Sequence, residues 1–390
     1  MTTPADETPW YDDHVLLRDG LVIPVRATAR RPRWEQLPHA VRAAIEVAAG
    51  SEVITTWSAG TGFTPGFASR LDLADGTRIF VKAASSADDT QHGWPISNAY
   101  REELRKLSLL SHDIGAPALQ WHRELEAEGE QWIVLGFEYA DATPPRRPWR
   151  AEQLRSVLDA FVEHASGLAV VPPELELESL ADHLLATYPE RLERIGDLEG
   201  DSEWLGVVAG LCAEGWEQLA GTGVVHMDLR DDNVLINDAG RVWFVDWNWP
   251  VMGPPWVDPV CILLSARGDG LDVETLVAEH PSPRDMPPRA INCLLGLLWS
   301  FWGAAKHEAV PLGSPHLRDH QRWYGDATRD WLEERLGHPR SALPRSAPPR
   351  FVRPAADTPG ASRPDESDGP QFVRPAADTP GASRPDESDG

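Results

Sequence analysis

Cysteine is scarce: Cys212, Cys261 and Cys293 are the three in 390 residues, and no two stand in a C-x-x-C spacing. That excludes a disulfide framework and the usual zinc patterns, and three scattered thiols are expected as reduced core residues of a cytoplasmic protein. Positive charge is also short. Lys and Arg number 36 against 61 Asp and Glu, a formal net charge of −25 and a pI near 4.8. Such a surface repels a phosphate backbone, so nucleic-acid binding is not expected. Long hydrophobic runs are missing too. The longest, INCLLGLLWSFWGAA from Ile291, is too short and too interrupted to span a bilayer and reads as a buried helix. The N-terminal MTTPADETPWYDDH is acidic and lacks the apolar core of an export signal, so no membrane association is expected. Tyr is sparse at 5, whereas Trp reaches 17, enough to wall a core or a pocket.

What is present falls into three parts. FVRPAADTPGASRPDESDG occurs at 351–369 and again, letter for letter, at 372–390. Two copies are too few for a solenoid, and a segment so poor in large apolar residues cannot offset its ordering entropy. Residues 346–390 are therefore expected as a disordered tail. Residues 1–140 suggest a helix over 36–49, strands at EVITTWS, ASRLDLA, RIFVKAA and QWIVLGFEY, and an amphipathic helix at NAYREELRKLSLLS. From 141 to 345 the pattern is mostly helical, with single helices expected at AEQLRSVLDAFVEHASGL from Ala151, ESLADHLLATYPERLERI over 178–195 and SEWLGVVAGLCAEGWEQLAG from Ser202. A small β-rich lobe joined to a larger helical lobe, an α+β bilobal arrangement, is expected, and the cleft between lobes is a favoured place for a ligand.

The chemistry concentrates at 226–233, HMDLRDDN, which follows Val224 and Val225 and precedes the strand patterns NVLIND and RVWFVD. The spacing is H-x-D-x-x-x-x-N, with Asp246 ending the next strand; in this context it matches the catalytic segment of kinases. An aspartate must accept the proton of an attacking hydroxyl, and an amide oxygen with a second carboxylate must hold Mg2+ against a triphosphate. Asp228 fits the first task, Asn233 and Asp246 the second. Such a segment calls for a glycine-rich turn and a lysine earlier in the chain. SAGTGFTPGFASRL supplies Gly60, Gly62 and Gly66, and RIFVKAA supplies Lys82. On the following helix Tyr100, Glu103, Leu107 and Leu110 form one stripe by i, i+3 and i+4 spacing, which turns Glu103 inward towards Lys82. Glu102 and Lys106 read as a surface pair, and Asp231 and Asp232 as solvated or capping.

This ordered set resembles the aminoglycoside phosphotransferase and choline kinase-like enzymes over roughly residues 36–337. The resemblance implies a protein-kinase-like fold, Mg2+ and ATP or GTP as phosphate donor, and a small hydroxylated acceptor. It assigns His226 and Asp258, the latter in GPPWVDPV, to supporting the catalytic loop, and Arg230 to facing the γ-phosphate beside Asp228. Phe137, Glu138 and Tyr139 fall where the nucleotide base is gripped. Three departures stand out: Arg230 stands where many small-molecule kinases have histidine and protein kinases have lysine, WNWP follows Asp246 where FG is common, and Pro65 removes an amide donor from the glycine turn.

Rival classes fare less well. Gly60-Thr61-Gly62 leads into a strand and no G-K-[ST] occurs, which excludes Rossmann and Walker folds. A protein kinase needs a peptide-docking segment, yet Asp246 and Asp258 are close in sequence and no A-P-E lies between them. A catalytically silent nucleotide-binding scaffold is the remaining alternative, although no essential residue is missing. Residues 141–345 carry 33 acids against 18 bases, which favours a cationic acceptor such as an aminoglycoside or amino-alcohol.

Overall fold

The computed structural model describes residues 14–16, 22–26, 28–92, 95–282 and 286–337, so the expected tail at 346–390 lies outside the described residues. The chain opens with the pair β1 (His14–Leu16) and β2 (Val22–Pro24), then α1 (His39–Ala49). Five strands follow: β3 (Val53–Ser58), β4 (Phe67–Leu73), β5 (Arg78–Ser85), β6 (Leu119–Ala127) and β7 (Glu130–Glu138). They form one antiparallel sheet in the order β3-β4-β5-β7-β6. Between β5 and β6 run α2 (Ser86–His92) and α3 (Ile96–Leu107).

Alternation along the strands decides what each face buries. Ile79, Val81 and Ala83 of β5 join Trp132 and Val134 of β7 under Val41 and Ile45 of α1. The odd-and-even register then sends Lys82 of β5 to the opposite face, where Ala84, Ile133, Leu135 and Phe137 pack against Ile96 and Tyr100 of α3. A charged residue is thereby held on an apolar face, and it needs a partner there.

The helical lobe contains α4 (Ala151–Glu163), α5 (Ala165–Leu168), α6 (Leu180–Leu185), α7 (Tyr188–Glu199), α8 (Ser202–Ala213), α9 (Gly215–Gln218), α10 (Val257–Gly268), α11 (Glu274–Glu279), α12 (Pro288–Ala305) and α13 (Leu317–Leu336). Its core gathers around α12, whose Ile291, Leu294, Leu295 and Leu297 are fully buried. Removing one such side chain, as in Leu295→Ala, should cost about 2–5 kcal/mol. No described helix is long and apolar enough to cross a membrane. Two small antiparallel pairs hold the loop at 226–233: β8 (Gly223–Val225) with β11 (Val251–Gly253), and the hairpin of β9 (Val234–Ile236) with β10 (Val242–Phe244). The linker after β7 is tied to them, since Thr143 pairs with Ile236.

Several expected elements come out differently. The single helix expected over 178–195 is two, α6 and α7, broken where Pro189 cannot donate to the preceding turn. The helices expected from Ala151 and Ser202 likewise break, at His164 and Glu214. β6 escaped notice because LQWHRELEA is largely exposed and polar at the sheet edge, and α10 because it is buried on nearly all sides and has no polar stripe.

Candidate active site

The loop at 226–233 is fixed from below by Asp258 at the start of α10. Its two carboxylate oxygens accept main-chain N–H bonds from His226 at 2.7 Å and Met227 at 3.0 Å. Met227 is left-handed, φ 68°, a conformation that persists only where surrounding contacts impose it. Burial raises the Asp258 carboxyl to about 7, opposed by these two N–H bonds. Burial lowers His226 to about 4, so its ring is neutral and Nε2–H donates to the Val245 carbonyl at 2.9 Å. The Trp247 ring lies against it, centroids 4.6 Å apart, and donates its own N–H to the Phe244 carbonyl.

Lys82 meets its partner from α3. Its Nζ lies 2.8 Å from both oxygens of Glu103 and 2.7 Å from Oδ1 of Asp246, which arrives from the other lobe. Burial alone would depress the ammonium, but Asp246 and Glu103 outweigh it and hold the pKa above its ordinary value. Asp246 is only half-buried; desolvation pushes its carboxyl up, yet Lys82 outweighs that and keeps it below the usual carboxylate range. Its backbone is also left-handed, φ 71°. The WNWP segment that departs from the common pattern is anchored by Lys106, whose Nζ donates to the Asn248 carbonyl at 2.6 Å. Lys106 still pairs with Glu102 at 3.6 Å, as expected, but it is buried rather than on the surface, and the shorter contact of Glu102 is with Arg105.

Asp228 sits among charges. Arg230 donates through Nη1 to Asp228 and grips Asp232 with Nε and Nη2 at 2.9 and 3.0 Å. Asn233 donates Nδ2–H to the Asp228 carbonyl at 2.7 Å. Burial raises Asp228 to about 7, aided by Asp232 and Asp246 and opposed by Arg230. Asp231, expected in solvent, is instead buried. It accepts from Arg147 at 2.7 Å and from the Tyr324 hydroxyl at 2.9 Å, and Arg147 also bonds Asp269. The sequence could not announce this pair, because Arg147 is far away along the chain.

The loop forms the wall between two cavities. The larger, about 340 Å³, lies in the cleft and is lined by Gly60, Gly62, Lys82, Glu103, Phe137, Glu138, Tyr139, Asn233 and Asp246. Gly62 is left-handed, φ 82°. Gly66 does not line the cavity: a Cβ there would stand 2.7 Å from the Tyr100 hydroxyl, so its smallness serves packing against α3. Arg31, which sequence reasoning missed, also lines this space. It stands outside the expected lobe pattern, before α1, and no motif marks it. The second cavity, about 230 Å³, opens on the far side of the loop and takes in Asp228 and Arg230. The rest of its wall is mainly apolar and aromatic, including Met227, Leu264, Leu298, Trp249, Phe301 and Trp302. Asp228 is the one carboxylate among the described residues of that wall, so the acidic excess of the helical lobe does not gather there.

A divalent cation suits the donor set on the cleft side. Asp246 offers a carboxylate, Asn233 an amide oxygen, and neither is soft, which fits Mg2+ with phosphate oxygens and water completing its shell. Among the described residues no cluster of three acidic, His or Cys side chains could hold a metal unaided.

A five-stranded sheet and a helical lobe enclosing a Lys-Glu pair and an aspartate-rich loop define a kinase-type fold. The phosphotransferase enzyme family model matches residues 92–290, just over half of the sequence, and the chain belongs to that family. No curated protein matches the sequence significantly. Solved structures of similar fold include the GDP and kanamycin complex of APH(2")-IIia, at 14% identity and a TM-score of 0.52, covering 76% of this chain and 98% of that one. The microcompartment-associated aminopropanol kinase gives 15% identity and a TM-score of 0.51, over 76% and 97% of the two chains. Choline kinase LicA from Streptococcus pneumoniae gives 14% and 0.50, over 76% and 99%. At these identities the likeness is one of fold.

Proposed function

We propose that this chain moves the γ-phosphate of a nucleoside triphosphate, ATP or GTP, to a hydroxyl of a small molecule. One observation carries the reading: a single loop separates two cavities, with Asn233 and Asp246 on one side and Asp228 on the other. The donor then occupies the cleft within residues 1–140 and their junction with 141–345, and the acceptor the second cavity.

Asp228 accepts the hydroxyl proton as the new O–P bond forms and the bond from γ-phosphorus to the bridging oxygen breaks, releasing the diphosphate. Lys82, kept charged by Glu103, meets the α- and β-phosphates. Gly60 and Gly62 cover the phosphates, and Phe137, Glu138 and Tyr139 hold the base. Asn233 and Asp246 hold Mg2+, which when bound offsets charge on the phosphate oxygens. His226 and Asp258 keep the loop in shape. Arg230 is drawn into ion pairs with Asp228 and Asp232, so its role is to keep Asp228 ionised as much as to face phosphate. The apolar, aromatic wall beside Asp228 favours an acceptor with an apolar body over a polycation.

The test is diphosphate release by the full chain with Mg2+, each nucleotide, and a panel of hydroxyl compounds ranging from aminoglycosides to apolar alcohols. Asp228→Asn should lose roughly 10²–10⁴ in kcat while nucleotide affinity stays within a few-fold. Turnover unchanged in that variant sinks the assignment. Tight nucleotide binding without turnover on any acceptor would favour the silent scaffold.

A further inference from the structure

The segment before α1 lies against the glycine turn. Thr28 Oγ1 donates to the Gly62 carbonyl at 2.6 Å and Arg31 Nη2 to the Thr61 carbonyl at 2.8 Å. Arg30 N–H donates to the Gly313 carbonyl at 2.8 Å, tying the same segment to the residues before α13. Two carbonyls of the turn are thus directed at this segment. A trans peptide sends its N–H opposite to its C=O, so the Gly62 N–H points away from Arg31 and the Phe63 N–H away from Thr28. The turn is poor in donors for an anion on that side, and Pro65 adds none.

Arg31 supplies the deficit. Its side chain lines the cleft cavity together with Gly60, Gly62, Lys82 and Asp246. Nε and Nη1 are buried and have no hydrogen-bond partner, and among the described residues Arg31 forms no ion pair. Asp246 and Asp232 are near enough to be felt electrostatically but not to bond, and burial lowers the guanidinium's pKa. Leaving two buried donors of a cation unpaired is costly. A tetrahedral oxyanion in the cavity would satisfy them, and arginine suits phosphate better than any other side chain.

We propose that Arg31 is a phosphate-binding residue: anchored on the Thr61 carbonyl, its guanidinium receives the phosphate chain of the bound nucleotide where the glycine turn presents carbonyls instead of amides. The proposal rests on the cleft being the donor site. It also makes the segment before α1 part of the nucleotide site, so that bound phosphate clamps this segment, the glycine turn and the loop before α13 together.

The experiment is calorimetric titration of the full chain with nucleoside, diphosphate and triphosphate, in the adenine and guanine series. Arg31→Gln retains an amide N–H for Thr61, and Arg31→Lys retains the charge. For Arg31→Gln the triphosphate Kd should rise about 10–100-fold, equivalent to roughly 1.4–2.7 kcal/mol, with the nucleoside Kd unchanged. Arg31→Lys should recover part of the triphosphate loss, and melting temperatures report whether each variant remains folded. Triphosphate affinity unchanged in Arg31→Gln, or an equal loss for nucleoside and triphosphate, overturns the proposal while leaving the donor site standing. A wild-type chain that binds neither nucleotide series overturns the donor site, and this inference with it.

Discussion

The Lys82 ammonium donates to Asp246 Oδ1 at 2.7 Å across 164 positions of sequence, and so joins the sheet of one lobe to the loop of the other. Glu103 holds the same nitrogen from α3. In the proposed donor complex Asp246 turns from a lysine partner into a cation ligand, and Lys82 keeps Glu103 while meeting phosphate. Nucleotide affinity in Mg2+ should therefore fall at least about tenfold in Asp246→Ala, near 1.4 kcal/mol. Titration with and without a chelator separates causes: the wild type should weaken when the metal is removed, and the variant should be indifferent. A variant as metal-sensitive as the wild type would mean that Asp246 is not the ligand.

Asp228 gives a pH signature. Burial lifts its carboxyl to about 7, and a general base works only when ionised, so kcat/KM should fall as pH drops through that value. Arg230 opposes the lift. Arg230→Gln should accordingly move the acid limb to higher pH and lower the rate at pH 7. A pH–rate profile of both enzymes with one acceptor decides the matter, and an acid limb that stays put in the variant would dissociate Arg230 from Asp228.

Why some of these residues were legible and others were not is a question of range. Glu103 sits in a helical stripe whose periodicity fixes its facing, and Lys82, Asp228, Asn233 and Asp246 sit in short motifs whose order and spacing singled them out. The partner of Asp231 is Arg147, which reaches it at 2.7 Å from the segment before α4. No local pattern carries that information, and Asp231 read as an ordinary solvated acid. Arg31 was invisible for the same reason. The sheet itself was mostly legible from alternation, but β6 offers few apolar residues to alternate, and α10 offers few polar ones. Gly66 shows a subtler limit, since glycine in a turn suggests backbone freedom whereas here it makes room for Tyr100.

That crowding is testable. In Gly66→Ala the new methyl would stand 2.7 Å from the Tyr100 hydroxyl and 3.2 Å from Ile96 Cγ2. Overpacking of this kind costs about 1–3 kcal/mol, so the melting temperature should drop by several degrees. A thermal melt that does not move would show that α3 can give way without loss.

Asp258 lines neither of the two cavities, yet it satisfies two buried main-chain donors. Asp258→Ala leaves both N–H groups unpaired, at about 1–3 kcal/mol each. Chemical denaturation should register a loss on the order of 2–5 kcal/mol, and turnover should fall because the left-handed turn at Met227 is no longer imposed. Full stability in the variant would remove Asp258 from the support of the loop.

Trp249 bears on the acceptor. It is 45% exposed although large and apolar, and it lines the cavity that contains Asp228. An exposed aromatic at the rim of an apolar pocket is a natural contact for the body of a bound molecule. Covering it would contribute roughly 1.5–3 kcal/mol, so Trp249→Ala should raise the acceptor KM about 10–100-fold and leave the nucleotide KM within a few-fold. Salt separates the two acceptor classes. An acceptor held by apolar contact should keep its kcat/KM as the screening length shortens from roughly 30 Å to 10 Å, whereas a polycation steered by the acidic lobe should lose rate over that range. A best acceptor that is polycationic, salt-sensitive and indifferent to Trp249→Ala would overturn the apolar assignment and leave phosphoryl transfer by Asp228 untouched.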